Sequence, residues 1–284
     1  MTADLLHLAA MARDFEGSVT WVTGGGSGIG RALALELARR GADVAVSGRR
    51  ADRLAAVVSE IEGLGRRGLA LPCDVTNEDD VWAAAAAVAR TLGKLDVAVA
   101  NAGFGVVGSI ETLTAAEWRR QLDVNVVGVA LTAKHALPHL RATEGRLGLV
   151  GSVAAFVPLA SNGAYVASKS AVRAIGQTLA IEVAKTGVSV TTIHPGFVES
   201  EIAQVDNAGA FHAERRDPRP QKLLWRTDDA ARVMADALHA RKREYVFTAH
   251  GKVGAFIGQH LPGLAIFAQA RSRKPGKKDG ATRE

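Results

Sequence analysis

The sequence predicts an α/β protein, a doubly wound parallel sheet with helices on both faces. Three observations predict it. Short apolar, β-branched runs alternate with longer Ala/Leu-rich stretches of helical period. The strand candidates are apolar along their whole length, as strands covered on both faces are. A glycine-rich turn joins the first of them directly to a helical stretch. Crossovers between parallel strands are right-handed, and this winds the sheet outward from its centre.

The first strand is Val19–Thr23, and Ile29–Arg40 follows as a helix stopped by Gly41 behind Arg39-Arg40. The later strands are Asp43–Ser47, Leu69–Pro72, Asp96–Ala100, Leu147–Gly151, Val188–His194 and Tyr245–Thr248. Between them fall helices Ala51–Gly63, Glu78–Leu92, Thr114–Arg141, Ala164–Lys185 and Thr227–Ala240. Asp228 and Asp229 favour the start of the last helix electrostatically, and Gly187 separates Ala164–Lys185 from the next strand. Phe197–Leu224 carries Pro218 and Pro220 and has no clear period. It is long for a plain connection and reads as a lid or substrate loop. Val253–Ala270 contains no Asp, Glu, Lys or Arg, but Pro262 and three glycines interrupt it, which argues against a spanning helix.

With 48% hydrophobic and 23% charged residues, the 284-residue chain can bury a large core. The net charge of +6 is concentrated in the last fourteen residues, where Arg271, Arg273, Lys274, Lys277, Lys278 and Arg283 face only Asp279 and Glu284. That tail reads as solvated. A nucleic-acid reader needs a basic face with stacking or groove-entering residues, and no nucleic-acid partner is expected. Cys73 is the only cysteine, which excludes an intrachain disulfide. The N-terminus lacks a basic segment followed by an apolar run, so no signal peptide and a cytoplasmic location are expected.

The first strand runs into Thr23-Gly24-Gly25-Gly26-Ser27-Gly28-Ile29-Gly30 and then a helix. Glycines let a backbone approach a pyrophosphate, and the helix N-terminus offers free N–H groups and partial positive charge. The end of the second strand selects the dinucleotide: an acid there holds the ribose hydroxyls of NAD, and an arginine accepts the 2′-phosphate of NADP. Asp43 comes too early for the ribose, whereas Arg49 follows the strand. Arg49 is read as the 2′-phosphate partner, with an exposed helix-start arginine as the plain alternative. Asp74, with Val75 beside it, is read either as an adenine contact or as a helix cap before Thr76 and Asn77.

Tyr165 and Lys169 stand four apart on a predicted helix and share a face. A fixed ammonium favours the phenolate, which suits Tyr165 to proton exchange with an alcohol or carbonyl oxygen. Ser152 closes the fifth strand and can hydrogen-bond that oxygen. Asn101-Ala102-Gly103 lies just beyond the fourth strand. Asn125 sits mid-helix, where Asn is a poor helix former, and reads as a bond to a neighbouring carbonyl, a water-relay residue, or both.

Thr23-Gly24-x-x-x-Gly28-Ile29-Gly30, Asn101-Ala102-Gly103, Asn125, Ser152, Tyr165-x-x-x-Lys169 and Pro195-Gly196 occur in the order and spacing of the short-chain dehydrogenase/reductase family. The resemblance covers roughly Val19 to Tyr245. It implies a Rossmann-type sheet of about seven strands and a catalytic set Asn125, Ser152, Tyr165 and Lys169. It also implies a ribose contact by Lys169, and a nicotinamide bordered by Pro195, Gly196 and the residues after them, including Val198 and Ser200. Ser200 stands where a threonine often occurs, and keeps its hydroxyl. Ser27 stands where many NADP-preferring relatives carry Arg or Lys, which leaves Arg49 as the main support for NADP. The resemblance further implies a homodimer or homotetramer paired through Thr114–Arg141 and Ala164–Lys185.

The expectation is therefore an oxidoreductase, NADP preferred and NAD admitted, acting on an apolar small-molecule alcohol or ketone. A non-catalytic NAD(P)-binding sensor or scaffold of the same fold is the alternative. Ser27 and Ser152 lack the Gly-x-Ser-x-Gly elbow of a serine hydrolase. His135, His139 and His194 make no metal spacing, and His194 is expected to pack at a strand end. Residues 1–252 are expected to form one dinucleotide-binding catalytic domain with an N-terminal helical extension. Residues 253–284 then form an apolar helical extension and basic tail, packed on protein or laid on an anionic membrane.

Overall fold

Residues 14–272 are described by the computed structural model. Among them seven strands pair in parallel: β1 (Val19–Thr23), β2 (Asp43–Gly48), β3 (Gly68–Pro72), β4 (Val97–Ala100), β5 (Arg146–Val150), β6 (Ser189–His194) and β7 (Glu244–Val246). Their order is β3-β2-β1-β4-β5-β6-β7. The order reverses at β1, between β2 and β4, and in open sheets of this kind the ligand crevice lies outside the carboxyl ends at that switch.

The helices are α1 (Gly28–Arg39), α2 (Ala51–Gly63), α3 (Glu78–Leu92), α4 (Ala115–Leu122), α5 (Gly128–Ala142), α6 (Gly163–Glu182), α7 (Thr227–His239), α8 (Ala249–His260) and α9 (Pro262–Ser272). Two apolar layers sandwich the sheet. One joins Leu33, Leu37 and Leu54 to Ala230, Met234 and Ala235, and the other joins Trp21 and Val81 to Val129, Leu140 and Val172. Alanine-rich faces let α1 and α7 approach closely. Arg40, at the end of α1, reaches Glu36 at 2.8 Å and Asp236 on α7 at 2.6 Å. Gly41 then stops α1 at φ +99, as its position predicts.

Three expectations are corrected. The single helix Thr114–Arg141 is α4 and α5 joined through a π-helical segment, Asp123–Val127. The last strand ends at Val246 rather than Thr248, because the Thr248 hydroxyl accepts the Gly251 N–H at 3.1 Å and caps α8. The boundary expected between residues 252 and 253 therefore falls inside α8. The apolar stretch behind it is two helices broken at Leu261, where Pro262 opens α9. The expected N-terminal helix at Leu5–Ala12 and the basic tail lie outside the described residues.

Candidate active site

The crevice at the carboxyl edge encloses about 980 Å³. Its floor is set where β1 and β4 end. The Thr23 hydroxyl accepts the Asn101 and Ala102 N–H groups at 3.0 and 3.1 Å, and Asn101 Nδ2 donates to the Thr23 carbonyl at 2.8 Å. The glycine loop passes over this junction. Gly24 has φ +64, and a Cβ there would lie 2.8 Å from Ala102 Cα. Ser27 precedes α1 without using its hydroxyl as a cap, and the first turn of α1 holds no acid. The free N–H groups of that turn suit an anion.

Opposite the loop, Ser152 and Tyr165 line the same crevice. Ser152 also accepts the Ala154 N–H at 3.1 Å and stays at the exit of β5. Tyr165 enters from the first turn of α6. One turn later Lys169, 5% exposed, donates Nζ to the Val150 carbonyl at 2.9 Å. Burial lowers Lys169 to about 8. Burial also raises the Tyr165 phenol, against which the Ser152 hydrogen bond and the Arg219 charge act. The lysine expected to acidify the tyrosine is thus turned to a backbone carbonyl, with Nζ 5.8 Å from the phenol ring centre. The opposing charge comes from Arg219.

The lysine shift carries a stability sign. Its folded value lies below that of an unfolded lysine, about 10.4. The folded state is therefore penalised for the ammonium below about pH 8, and the penalty fades as pH rises from there toward 10. Replacing Lys169 by Met removes that penalty. The variant is expected to gain stability relative to the parent at pH 7 and to lose that relative gain by pH 10. Urea melts of both proteins at the two pH values check this, and a difference that does not change with pH would contradict it.

Residues 18–210 match the family model for short chain dehydrogenases. Over 251 residues the chain is 35% identical to an uncharacterized oxidoreductase of Myxococcus xanthus (strain DK1622), covering 88% of this chain and 95% of that protein. This chain belongs to the short-chain dehydrogenase/reductase family. It is also similar to a Burkholderia cenocepacia J2315 short chain dehydrogenase solved with NADP (TM-score 0.74, 32% identity, 84% of this chain and 100% of that one). A Burkholderia phymatum short chain dehydrogenase/reductase solved with NAD gives TM-score 0.78 at 26% identity, over 93% and 98% of the two chains.

Within this short-chain dehydrogenase/reductase the crevice is lined by Gly24, Gly26, Ser27, Gly28, Ile29, Gly30, Arg49, Asp74 and Val75. Asn101, Ala102, Gly103, Ser152, Tyr165, Lys169, Pro195, Gly196, Val198 and Ser200 complete the expected set. Asp74 is no helix cap: α3 is capped by Asn77, and Asp74 accepts from the Thr76 N–H and hydroxyl at 3.0 and 2.8 Å. Asn125 is outside the lining. It is fully buried in the π-helical segment, where its amide accepts from Phe104 N–H at 3.1 Å and donates to Phe104 O at 3.0 Å and Ser168 Oγ at 3.1 Å. The bond to a neighbouring carbonyl is present, and Asn125 holds the chain just after Gly103.

Two side chains of the dehydrogenase escaped the sequence reading. Arg50, next to Arg49, reaches Ser27 Oγ at 2.9 Å and Glu201 at 3.0 Å across the crevice mouth. Arg219 donates to the Val198 and Ser200 carbonyls at 2.8 and 3.2 Å, while Asp217 holds its guanidinium at 2.6 Å. The Asp-Pro-Arg-Pro run at 217–220, stiff and oppositely charged, was the available signal. His194 does pack at its strand end, fully buried, yet its Nδ1 also faces the Ser152 carbonyl at 3.1 Å and its Nε2 faces Glu244 at 3.1 Å. That His194 contact and Arg173 together hold Glu244 down to about 2. Phe156, after β5, meets His194 edge-on at 4.8 Å, under the Arg173 guanidinium. Apolar lining comes from Phe104, Ile202, Val205 and Phe211.

Proposed function

We propose that this chain is an NADP-dependent reductase and dehydrogenase that interconverts an apolar alcohol and its ketone, with Tyr165 as the acid and base. The observation that carries the reading is that Ser152, Tyr165 and Lys169 face a glycine cradle across one crevice. The cradle fits a dinucleotide: Gly24 and Gly30 stand where no side chain can, and the first turn of α1 has N–H groups free for a pyrophosphate. When bound, the nicotinamide supplies or takes up the hydride.

The chain's own residues do the rest. Gly24, Gly26, Ser27, Gly28, Ile29 and Gly30 would hold the pyrophosphate, and Arg49 with Arg50 the 2′-phosphate. Asp74 and Val75 would border the adenine, and Asn101, Ala102 and Gly103 would floor the site. Pro195, Gly196, Val198 and Ser200 would wall the nicotinamide, and Lys169 with Tyr165 would meet its ribose. Ser152 orients the substrate oxygen by hydrogen bonding, and Tyr165 gives that oxygen a proton during reduction or removes one during oxidation. Asn125 acts behind them as a positioning residue. The apolar lining from Phe104, Ile202, Val205 and Phe211 supports an apolar substrate. Pairing of copies through α4–α5 and α6 belongs to the same reading.

NADPH consumption across a panel of steroid, lipid, sugar and aromatic carbonyls tests the reaction class, and turnover confined to the sugars would overturn the apolar assignment. The cofactor preference has its own test. Charge-assisted bonds to phosphate contribute about 1.5–3 kcal/mol, so Arg49→Ala should raise the NADPH KM roughly 10- to 100-fold. The NADH KM should stay within about threefold, since NADH has no 2′-phosphate to lose. Steady-state kinetics with both cofactors decide; equal losses would remove Arg49 from the phosphate.

A further inference from the structure

After β7 the chain builds α8 and α9, and their two faces differ sharply. The inner face of α8 is fastened to the protein. Gly251 and Ala255 are buried, His250 stacks on Phe197 at 5.4 Å, and a Cβ on Gly254 would meet Val153 and Val157. The outer face is apolar and uncovered: Val253 is 60% exposed, Phe256 62%, Leu261 49%, Leu264 52%, Ile266 58% and Phe267 56%. Single exposed apolar residues are ordinary on a protein surface, but a contiguous group on adjoining helices marks a contact surface.

The charge along this stretch of the sequence is of one sign. No Asp or Glu occurs between residues 245 and 278, whereas Lys252, Arg271, Arg273, Lys274, Lys277 and Lys278 do. Arg271 lies over the Phe267 ring at 5.4 Å, which places a cation at the apolar edge. Neither helix is long and apolar enough to cross a membrane. Short helices with an apolar face and flanking cations lie in the plane of a bilayer, with side chains at the acyl boundary and cations among the headgroup phosphates. A second copy of the same face would instead set Lys252 and Arg271 against their own like charges.

We propose that α8 and α9 form a docking surface for anionic lipid bilayers, in which Phe256, Leu261, Leu264, Ile266 and Phe267 enter the interface while Lys252 and Arg271 meet the lipid phosphates. This property is separate from the redox reaction, and its test does not use turnover.

Full-length protein is sedimented with sucrose-loaded vesicles of phosphatidylcholine alone or with about a third phosphatidylglycerol. Binding to the phosphatidylglycerol vesicles should exceed binding to the neutral ones by at least about tenfold, and it should weaken as salt rises from about 0.05 to about 0.5 M. Leu264→Asp with Phe267→Asp, two exposed positions, should lower binding at least about tenfold with an unchanged circular dichroism spectrum and melting temperature. Lys252→Glu with Arg271→Glu should abolish the preference for phosphatidylglycerol. Equal recovery of the parent protein in the supernatant with and without anionic vesicles overturns the proposal. So does a parent that ignores vesicles but loses oligomeric mass, by sedimentation velocity, on Leu264→Asp with Phe267→Asp; the face would then belong to a second copy.

Discussion

Tyr165→Phe is expected to lower carbonyl turnover by about 10²- to 10⁴-fold, the usual contribution of a positioned general acid. NADPH affinity should stay within about threefold of the parent, because the deletion removes one hydroxyl, worth about a single hydrogen bond. The ring keeps its place against the loop after β4, where a Cβ on Gly105 would sit 3.6 Å from Tyr165 Cδ2. Ser152 keeps the Ala154 N–H, so its own position survives. Direction follows from the proton. Burial raises Tyr165 above the ordinary phenol value, so the tyrosine holds its proton at neutral pH and is ready to donate to a ketone. Alcohol oxidation needs that proton removed and should climb with pH, while reduction should be best supplied near neutrality. Initial rates in both directions and fluorescence titration of NADPH measure all three quantities. A variant that turns over within a few-fold of the parent removes Tyr165 from its role. A parent that binds NADPH tightly and reduces no carbonyl favours a sensor instead.

What the sequence made legible was local. The glycine loop could be read because a tight turn into a helix needs glycine at fixed positions, and the strands because burial on both faces demands unbroken apolar runs. Tyr165 and Lys169 could be placed on one face because helical spacing alone brings them there. The missing parts are set by contacts far apart in sequence. Asn125 looked out of place in a helix. The π-helical turn around it opens the backbone so that its amide can reach Phe104, a tertiary demand that no pattern within the helix encodes. Arg49 and Arg50 are equivalent at the exit of β2, and only the start of α2 and the position of Glu201 turn the second toward Ser27. Arg219 brings its charge toward the tyrosine from the aperiodic stretch between β6 and α7, whose path is fixed by pairing of Val198 with Trp225. Phe156 belongs to an apolar run that says nothing about which side it faces, and His194 with Arg173 takes it away from the crevice.

Gly30→Ala is expected to damage both fold and dinucleotide binding, although alanine is the better helix former by about 1 kcal/mol. A Cβ at Gly30 would overlap the Gly24 carbonyl oxygen and Asn101 Nδ2. Neither neighbour can retreat. Gly24 is already pressed toward Ala102 at φ +64, and Asn101 is tied to the Thr23 carbonyl at 2.8 Å. The helix cannot withdraw either, because Leu33 and Leu37 of α1 are packed in one core with Ala231 and Met234 of α7. Overpacking against fixed backbone costs on the order of 1–3 kcal/mol. In a domain of this size each kcal/mol moves the melting temperature by about 2–4 °C. Any relief must come from shifting the first turn of α1, which moves the N–H groups that would hold the pyrophosphate. NADPH affinity should then fall by at least about tenfold, or about 1.4 kcal/mol. Gly63→Ala is the matched control: it ends α2 with nothing within 4 Å of an added Cβ, and should leave affinity unchanged and stability equal or higher. Thermal melts and NADPH titrations of the two variants side by side separate helix propensity from the cradle. If Gly30→Ala melts at or above the parent and binds NADPH as tightly, the loop does not hold the phosphate.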